Sequence, residues 1–305
     1  MTEPLRPLST GEVLDRTFTV YRTHFSLFLG ITAVTHLVSL AYQLLTIGSA
    51  LPHAGKLGPY YLHLALSWGF STAVLTISQA ATVKAVAAVH LGESTSVWAA
   101  YKGLRGRILS VFGVLALVFA IAGLAAFVLV FIAALAIGAV LVASGSAATA
   151  RSRTLSTVFG FAMIAGVLAI FVWVYARYAL AIQACVVEKL GAWAAMKRSV
   201  SLSKGGRWRL AAVYLVFVIL SLTAFLSLAW LARLAATPWR SRIGTLILND
   251  ISGFIAGSLT GPLVTIGISL LYYDERVRKE AFDLQVMLSS LDPVPARAAV
   301  DPVQI

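Results

Sequence analysis

The chain has 305 residues, of which 59% are hydrophobic and only 24 are Lys or Arg and 12 Asp or Glu. A soluble domain carries about twice that charged fraction, so this composition and a mean hydropathy of +0.88 exclude an ordinary soluble globular protein. The net charge of +12 raises nucleic acid as a partner, but no DNA- or RNA-binding signature accompanies it. The single Cys185 excludes an intramolecular disulfide framework and a multi-cysteine metal site. In an apolar run it reads as a small hydrophobe.

The first 24 residues are polar and mixed in charge, unlike the basic and then apolar start of a signal peptide, so no cleavage is expected. Ser9 and Glu12 have capping-box spacing, and Leu14, Phe18, Tyr21 and Phe25 follow on one helical face. Residues 1–24 are expected to form a cytoplasmic amphipathic helix, with its apolar face either in the lipid interface or packed on its own bundle.

Charges are absent from 23–55, 57–83, 108–150, 154–176, 210–232 and 251–273. Since a transmembrane helix needs roughly 17–25 apolar residues, the expectation is an all-α membrane protein with six transmembrane helices in a membrane domain over 25–273. The spans fall near 25–48, 61–83, 109–133, 157–181, 210–232 and 251–273. The apolar runs 109–143 and 154–187 exceed one span, at roughly 50 Å each if helical. Splitting one would give seven spans and carry the Arg-rich end of the chain across the membrane, against the distribution of basic residues. The excess projects past the hydrocarbon or turns near 138–145. With six spans, seventeen Lys and Arg share the side of both termini and six lie opposite; the remaining one is Arg177. The positive-inside rule therefore puts both termini in the cytoplasm.

The connections on that side are patterned. Glu93, Trp98, Ala99, Ala100 and Lys102 recur 95 residues later as Glu188, Trp193, Ala194, Ala195 and Lys197. The two copies, near 88–110 and 183–210, each follow an even-numbered span and lead through Arg-rich residues into the next. The chain thus reads as three hairpins joined by cytoplasmic amphipathic interfacial helices, two of them related by duplication. Trp98 and Trp193 suit the headgroup boundary, and Lys102, Arg105, Arg107, Lys197, Arg198 and Arg207 suit lipid phosphates. Glu93 and Glu188 are expected at the boundary facing basic groups, local charge balance being favoured over a proton-coupling role.

Arg177 is the one strongly charged residue inside an apolar run, which makes it a functional candidate unless it snorkels or pairs with Glu188 or Glu93. Gln43, His36, His63, Gln79 and Gln183 read as interhelical hydrogen-bonding groups before substrate ligands. In span 6, Gly253, Gly257 and Gly261 form a smooth face for helix packing, and Pro262 suggests a kink or, in the sharper version, a broken transporter helix. Residues 274–291 carry an apolar stripe expected to form a cytoplasmic helix, and the Pro- and Ala-rich 292–305 reads as a disordered tail.

Three groups of residues carry a family resemblance. They are Gly11 to Phe18 with Tyr21 and Arg22; Arg177, Glu188 and Ala195 with Arg198 and Ser199; and Tyr272 to Asp274 through Arg276 and Arg278 to Leu284. Over about residues 8 to 288 the chain resembles bacterial multi-pass proteins of the glycerophosphoryl diester phosphodiesterase membrane-domain type. The resemblance implies a six-helix unit of a bacterial inner (cytoplasmic) membrane, without the soluble phosphodiesterase barrel that accompanies it in some members. Such a barrel needs about 250 residues of alternating strands and helices. The five His residues have no metal-ligand spacing, and no Walker loop, nucleophile elbow or His-Glu-x-x-His occurs.

The resulting expectation is a non-catalytic membrane scaffold or accessory protein, needing no metal or cofactor. Its partners would be membrane lipids with anionic headgroups, and a protein partner or a second copy; no nucleic acid is expected. The alternative is a carrier for a lipid or small anionic amphiphile, with Arg177 attracting its headgroup. A polar cavity reaching Arg177 distinguishes the carrier from a scaffold with a solid apolar core.

Overall fold

The computed structural model describes residues 8–47, 57–144, 150–236 and 242–280. These residues form α1 (Thr10–Thr23), α2 (Phe25–Thr46), α3 (Leu57–His90), α4 (Val97–Lys102) and α5 (Ile108–Ser144), then α6 (Ala150–Tyr178), α7 (Ala181–Val187), α8 (Ala192–Ser203), α9 (Arg207–Ala236) and α10 (Arg242–Glu280). The fold is that of an all-α, multi-pass membrane protein. Six stretches are long and apolar enough to cross a bilayer: Phe25–Thr46, Tyr60–His90, Ile108–Ala136, Thr157–Val187, Arg207–Leu234 and Ile243–Glu280.

Consecutive spans pack as three hairpins, α2 with α3, α5 with α6 and α9 with α10. The central element is α10, which also packs on α1, α2, α3 and α8. Its most apolar window is 61% buried, against 6% for the windows of Ile108–Ala136 and Thr157–Val187. The α5–α6 hairpin, which packs on α3, α7, α8 and α9, therefore has few fully buried residues in its spans, whereas the apolar surface of α10 is spent largely on protein contacts.

Glycine and hydroxyl side chains let α2 approach α10. A Cβ at Gly257 would lie 2.3 Å from His36 Nε2, and one at Gly261 3.7 Å from His36 Cε1. Gly253 faces α9 instead, with Phe225 at 3.7 Å. The three glycines thus serve two neighbours and not one smooth face. Pro262 lacks the N–H that would bond the Ser258 carbonyl four residues back. Thr32 Oγ1 of α2 donates to that carbonyl at 2.8 Å, and the Tyr21 hydroxyl of α1 donates to the next one, Leu259, at 2.7 Å. With the freed acceptor satisfied, α10 continues through Pro262; the broken-helix version of this span does not hold.

The break lies in span 4. There α6 ends at Tyr178 and α7 starts at Ala181, and Ser199 of α8 bridges the gap. Its hydroxyl donates to the Arg177 carbonyl at 3.0 Å and accepts from the Leu180 N–H at 3.2 Å. The long run 154–187 is thus a span plus a short buried helix. The other long run is one helix to Ser144, and 145–149 lie outside the described residues.

At the Ser9 cap, the Ser9 hydroxyl accepts from the Glu12 N–H at 3.3 Å while Glu12 Oε2 accepts from the Ser9 N–H at 2.6 Å. The helix packs on α10, α2 and α9 through Val13 and Thr17, both fully buried, and leaves Phe18 44% exposed. The helix is thus packed on its own bundle, and even Phe18 lies with its ring 5.9 Å from that of Phe217 on α9. The stripe expected over 274–291 is described only to Glu280, inside α10; the rest of it and 292–305 lie outside the described residues.

Candidate functional site

The two repeat copies fold alike. Each opens from an extended residue, Ser96 (φ −126°, ψ 163°) or Gly191 (φ −71°, ψ 164°), into a short helix. Ala100 and Ala195 point into the bundle, while Trp98 and Trp193 are 76% and 60% exposed. Each short helix hands over to the next span through a glycine at positive φ, Gly106 (77°) and Gly205 (87°), which only a residue lacking Cβ adopts without strain. Lys102, Arg105 and Lys197 are exposed beside the Trp residues, and Lys197 Nζ lies 5.6 Å from the Trp193 ring centroid. The other three predicted lipid-facing cations differ. Arg107 is half-buried and donates to the Lys189 carbonyl, at a residue with φ 57°. Arg198 is consumed by an ionic network, and Arg207 has a buried Nε without a partner among the described residues.

The acidic residues of the two copies are not equivalent. Glu93 is exposed and pairs with no cation among the described residues. Glu188 accepts from Arg198 Nε at 2.8 and 2.9 Å and from the Tyr272 hydroxyl at 2.5 Å. Arg198 also donates to Glu280 at 2.7 Å, and Arg276 lies 3.3 Å from Glu280 and 3.8 Å from Glu188. Hydrogen bonding to Glu280, foremost, and to Glu188 raises the Arg198 guanidinium further above its ordinary pKa. A second cluster surrounds Asp274, whose side chain is fully buried. Asp274 pairs with Arg209 and accepts from Arg278 Nε at 2.8 Å and from the Leu8 N–H at 2.6 Å. Both arginines return a bond to the Leu8 carbonyl, at 2.7 and 2.6 Å. Lys279 pairs with Glu275 at 3.0 Å and donates to the Lys204 carbonyl at 2.7 Å. This clamp ties the N-terminal segment, α8, α9 and the end of α10 together at one end of the bundle.

Sequence reasoning missed Asp274, Glu275 and Arg209 as a unit. The signal present was the four-residue spacing of Asp274 with Arg278, Glu275 with Lys279 and Arg276 with Glu280, which marks a charged face of one helix but cannot name partners on other helices.

Arg177 does not pair with Glu188 or Glu93. Its guanidinium lies 5.2 Å from the Trp173 ring centroid and 5.9 Å from that of Tyr178, and its Nε is buried without a partner among the described residues. Its carbonyl accepts from Ser199 of α8, at the junction of α6 with α7.

Above the clamp the helices enclose a cavity of about 660 Å³, lined from α2, α3, α5, α6, α7, α9 and α10. Small-molecule sites occupy roughly 300–1,000 Å³. No Asp, Glu, Lys or Arg lines this one; Tyr175 and Tyr178 do, but Arg177 between them does not. The polar lining divides into two sets. Most threonines donate to their own helix backbone, as Thr72 to Trp68, Thr76 to Thr72, Thr82 to Ser78 and Thr260 to Ala256. His36 Nδ1 lies 2.8 Å from the Thr32 carbonyl of its own helix. Gln79 and Gln183, by contrast, have no hydrogen bond among the described residues, and Gln183 is 4% exposed with its Oε1 buried and unpartnered. These two amides are therefore not the interhelical bonds their sequence context suggested. Leu222 of α9 lines the cavity and is 52% exposed. Cys185, fully buried on α7 beside Gln183, is packed as a small hydrophobe.

Among the described residues no group of three or more His, Cys, Asp or Glu has a metal-binding arrangement. No family model matches the chain, and neither a curated protein nor a solved structure matches it.

Proposed function

We propose that this protein binds an amphiphile within the membrane and carries or presents it, without chemistry of its own. The observation that supports this reading is the cavity of about 660 Å³ between seven helices, with polar groups inside and an exposed apolar residue, Leu222, at its edge. A bundle that only needed to be a solid scaffold gains nothing from such a void, because close packing is what holds membrane helices together.

A scaffold role remains the second reading, favoured by Trp98 and Trp193 standing outward beside Lys102, Arg105 and Lys197. In that reading anionic headgroups in the cytoplasmic leaflet of a bacterial membrane hold the basic face, and a partner protein or second copy docks there. The resemblance to the phosphodiesterase-associated membrane domains is compatible with either role.

The test is native mass spectrometry of the full chain released from nanodiscs, comparing the parent with Ser221→Phe, which fills the cavity from α9. Retained amphiphile in the parent and its loss from the variant support the carrier. Lipid retention unchanged by Ser221→Phe, but abolished by neutralising Lys102, Arg105 and Lys197, overturns it in favour of the scaffold.

A further inference from the structure

The cavity's lining carries information about what it holds. An amide side chain in a membrane interior needs partners, since leaving a buried polar group unpaired costs about 1–3 kcal/mol in mutational data. Gln183 meets that condition within the protein at neither end: it is 4% exposed, Oε1 is buried without a partner, and no described residue bonds it. Gln79, on α3, is exposed and lines the cavity without a hydrogen bond among the described residues. Between them the two amides offer donors and acceptors at once, since each carries a carbonyl oxygen and an NH₂. The wall between α6 and α9 is aromatic, with the Tyr175 and Tyr214 rings stacked at a centroid separation of 3.6 Å.

Charge selects further. A phosphate or carboxylate entering this space would be desolvated with no lining cation to meet it, because Arg177 turns to Trp173 and the arginines of the clamp are paired outside the lining. A quaternary ammonium would meet no carboxylate and would have only ring faces such as those of Tyr175 and Tyr214 to hold it. Burial of an unpaired ion costs far more than burial of a hydroxyl.

We infer that the cavity takes an uncharged amphiphile whose headgroup bears hydroxyl or amide groups, held by Gln183 and Gln79 with its apolar chain toward Leu222 and the bilayer. This rests on the cavity-binding role above and corrects one part of the sequence-based alternative, which assigned an anionic headgroup to Arg177.

The experiment uses the full chain in nanodiscs with three photoreactive probes of equal chain length: a diacylglycerol, a phosphatidylglycerol and a phosphatidylcholine. The expected result is labelling of peptides covering 72–82 and 181–187 by the diacylglycerol probe, at least fivefold above the other two. Unlabelled diacylglycerol should compete with it, and Gln183→Leu or Gln79→Leu should reduce it severalfold in protein that still elutes as a single folded species. Preference for phosphatidylglycerol, equal labelling by all three, or insensitivity to both glutamine variants overturns the uncharged class and leaves cavity binding standing. Absence of cavity labelling by every probe, with the parent and Ser221→Phe indistinguishable, overturns both.

Discussion

Replacing Asp274 by Ala should unfasten the clamp. The carboxylate is fully buried and is held by Arg209, Arg278 and the Leu8 N–H, while both arginines also hold the Leu8 carbonyl. Removing one partner of a buried ion pair costs about 3–5 kcal/mol, because the other charge is left unpaired. Arg278 is 39% exposed and can return to water, so its share is discounted; Arg209 is 17% exposed and carries most of the penalty, reduced because Glu275 at 3.6 Å still faces it. The lower end, about 3 kcal/mol, is the expected loss. At roughly 2–4 °C per kcal/mol for a chain of this size, that is a fall of about 6–12 °C in melting temperature. The assay is thermal unfolding of the full chain in a mild detergent, followed by fluorescence-detected size exclusion. Asp274→Ala combined with Arg209→Leu should melt higher than Asp274→Ala alone, since the stranded cation is gone. A single-variant shift under about 2 °C, or a double variant that merely adds the two losses, would refute the reasoning.

Four further outcomes follow from the packing and the charge pattern. Thr32→Val leaves the Ser258 carbonyl freed by Pro262 without its donor; intramembrane hydrogen bonds average about 0.6 and reach about 1.7 kcal/mol, and a loss near the upper value is expected in the same melting assay, so an unchanged melt would remove this bond from the α2–α10 contact. Gly257→Ala puts a Cβ 2.3 Å from His36 Nε2 and should cost about 1–3 kcal/mol, recovered when His36→Ala is added; no recovery means the clash lies elsewhere. Arg177→Leu strands no acid and exchanges ring contacts of about 0.5–1 kcal/mol for relief of a desolvated charge, so expression and melting should stay close to the parent, and a collapse of expression would mean that Arg177 has an ionic role. If, as the positive-inside rule predicts, both termini are cytoplasmic, single cysteines at Ser96 and Ser201 should resist an impermeant maleimide in intact cells while one at Ser146 reacts, the native Cys185 staying silent because it is buried; the reverse pattern inverts the topology.

Long charge-free runs were enough to specify six apolar helices, because a bilayer demands that every backbone group be bonded within its own segment, and length and hydropathy then report a span directly. The capping box at Ser9 and the two Trp-Ala-Ala copies were equally legible, since they are local: an N-cap bonds three residues on, and a short helix repeats its own periodicity. Even so, five matched residues did not reveal that Glu188 is held in a network while Glu93 is exposed, because that difference comes from Arg198, whose counterpart in the first copy is Gly103, and from Tyr272 and Arg276 at the far end of the chain.

The same limit governs the site. Pro262 was visible as a helix disruptor, but α10 stays continuous because Thr32 on another helix accepts the task of the missing N–H. Span 4 carries no proline or glycine at its break; it opens at Ala179 and Leu180 because Ser199 supplies both a donor and an acceptor there. Gln79 and Gln183 look like any polar residues in apolar helices until seven helices are assembled and a cavity is found where their partners would have been. Membrane solvent therefore dictates the elements from composition alone, while pairing, breaks and voids are pairwise properties of distant segments, which no single segment encodes.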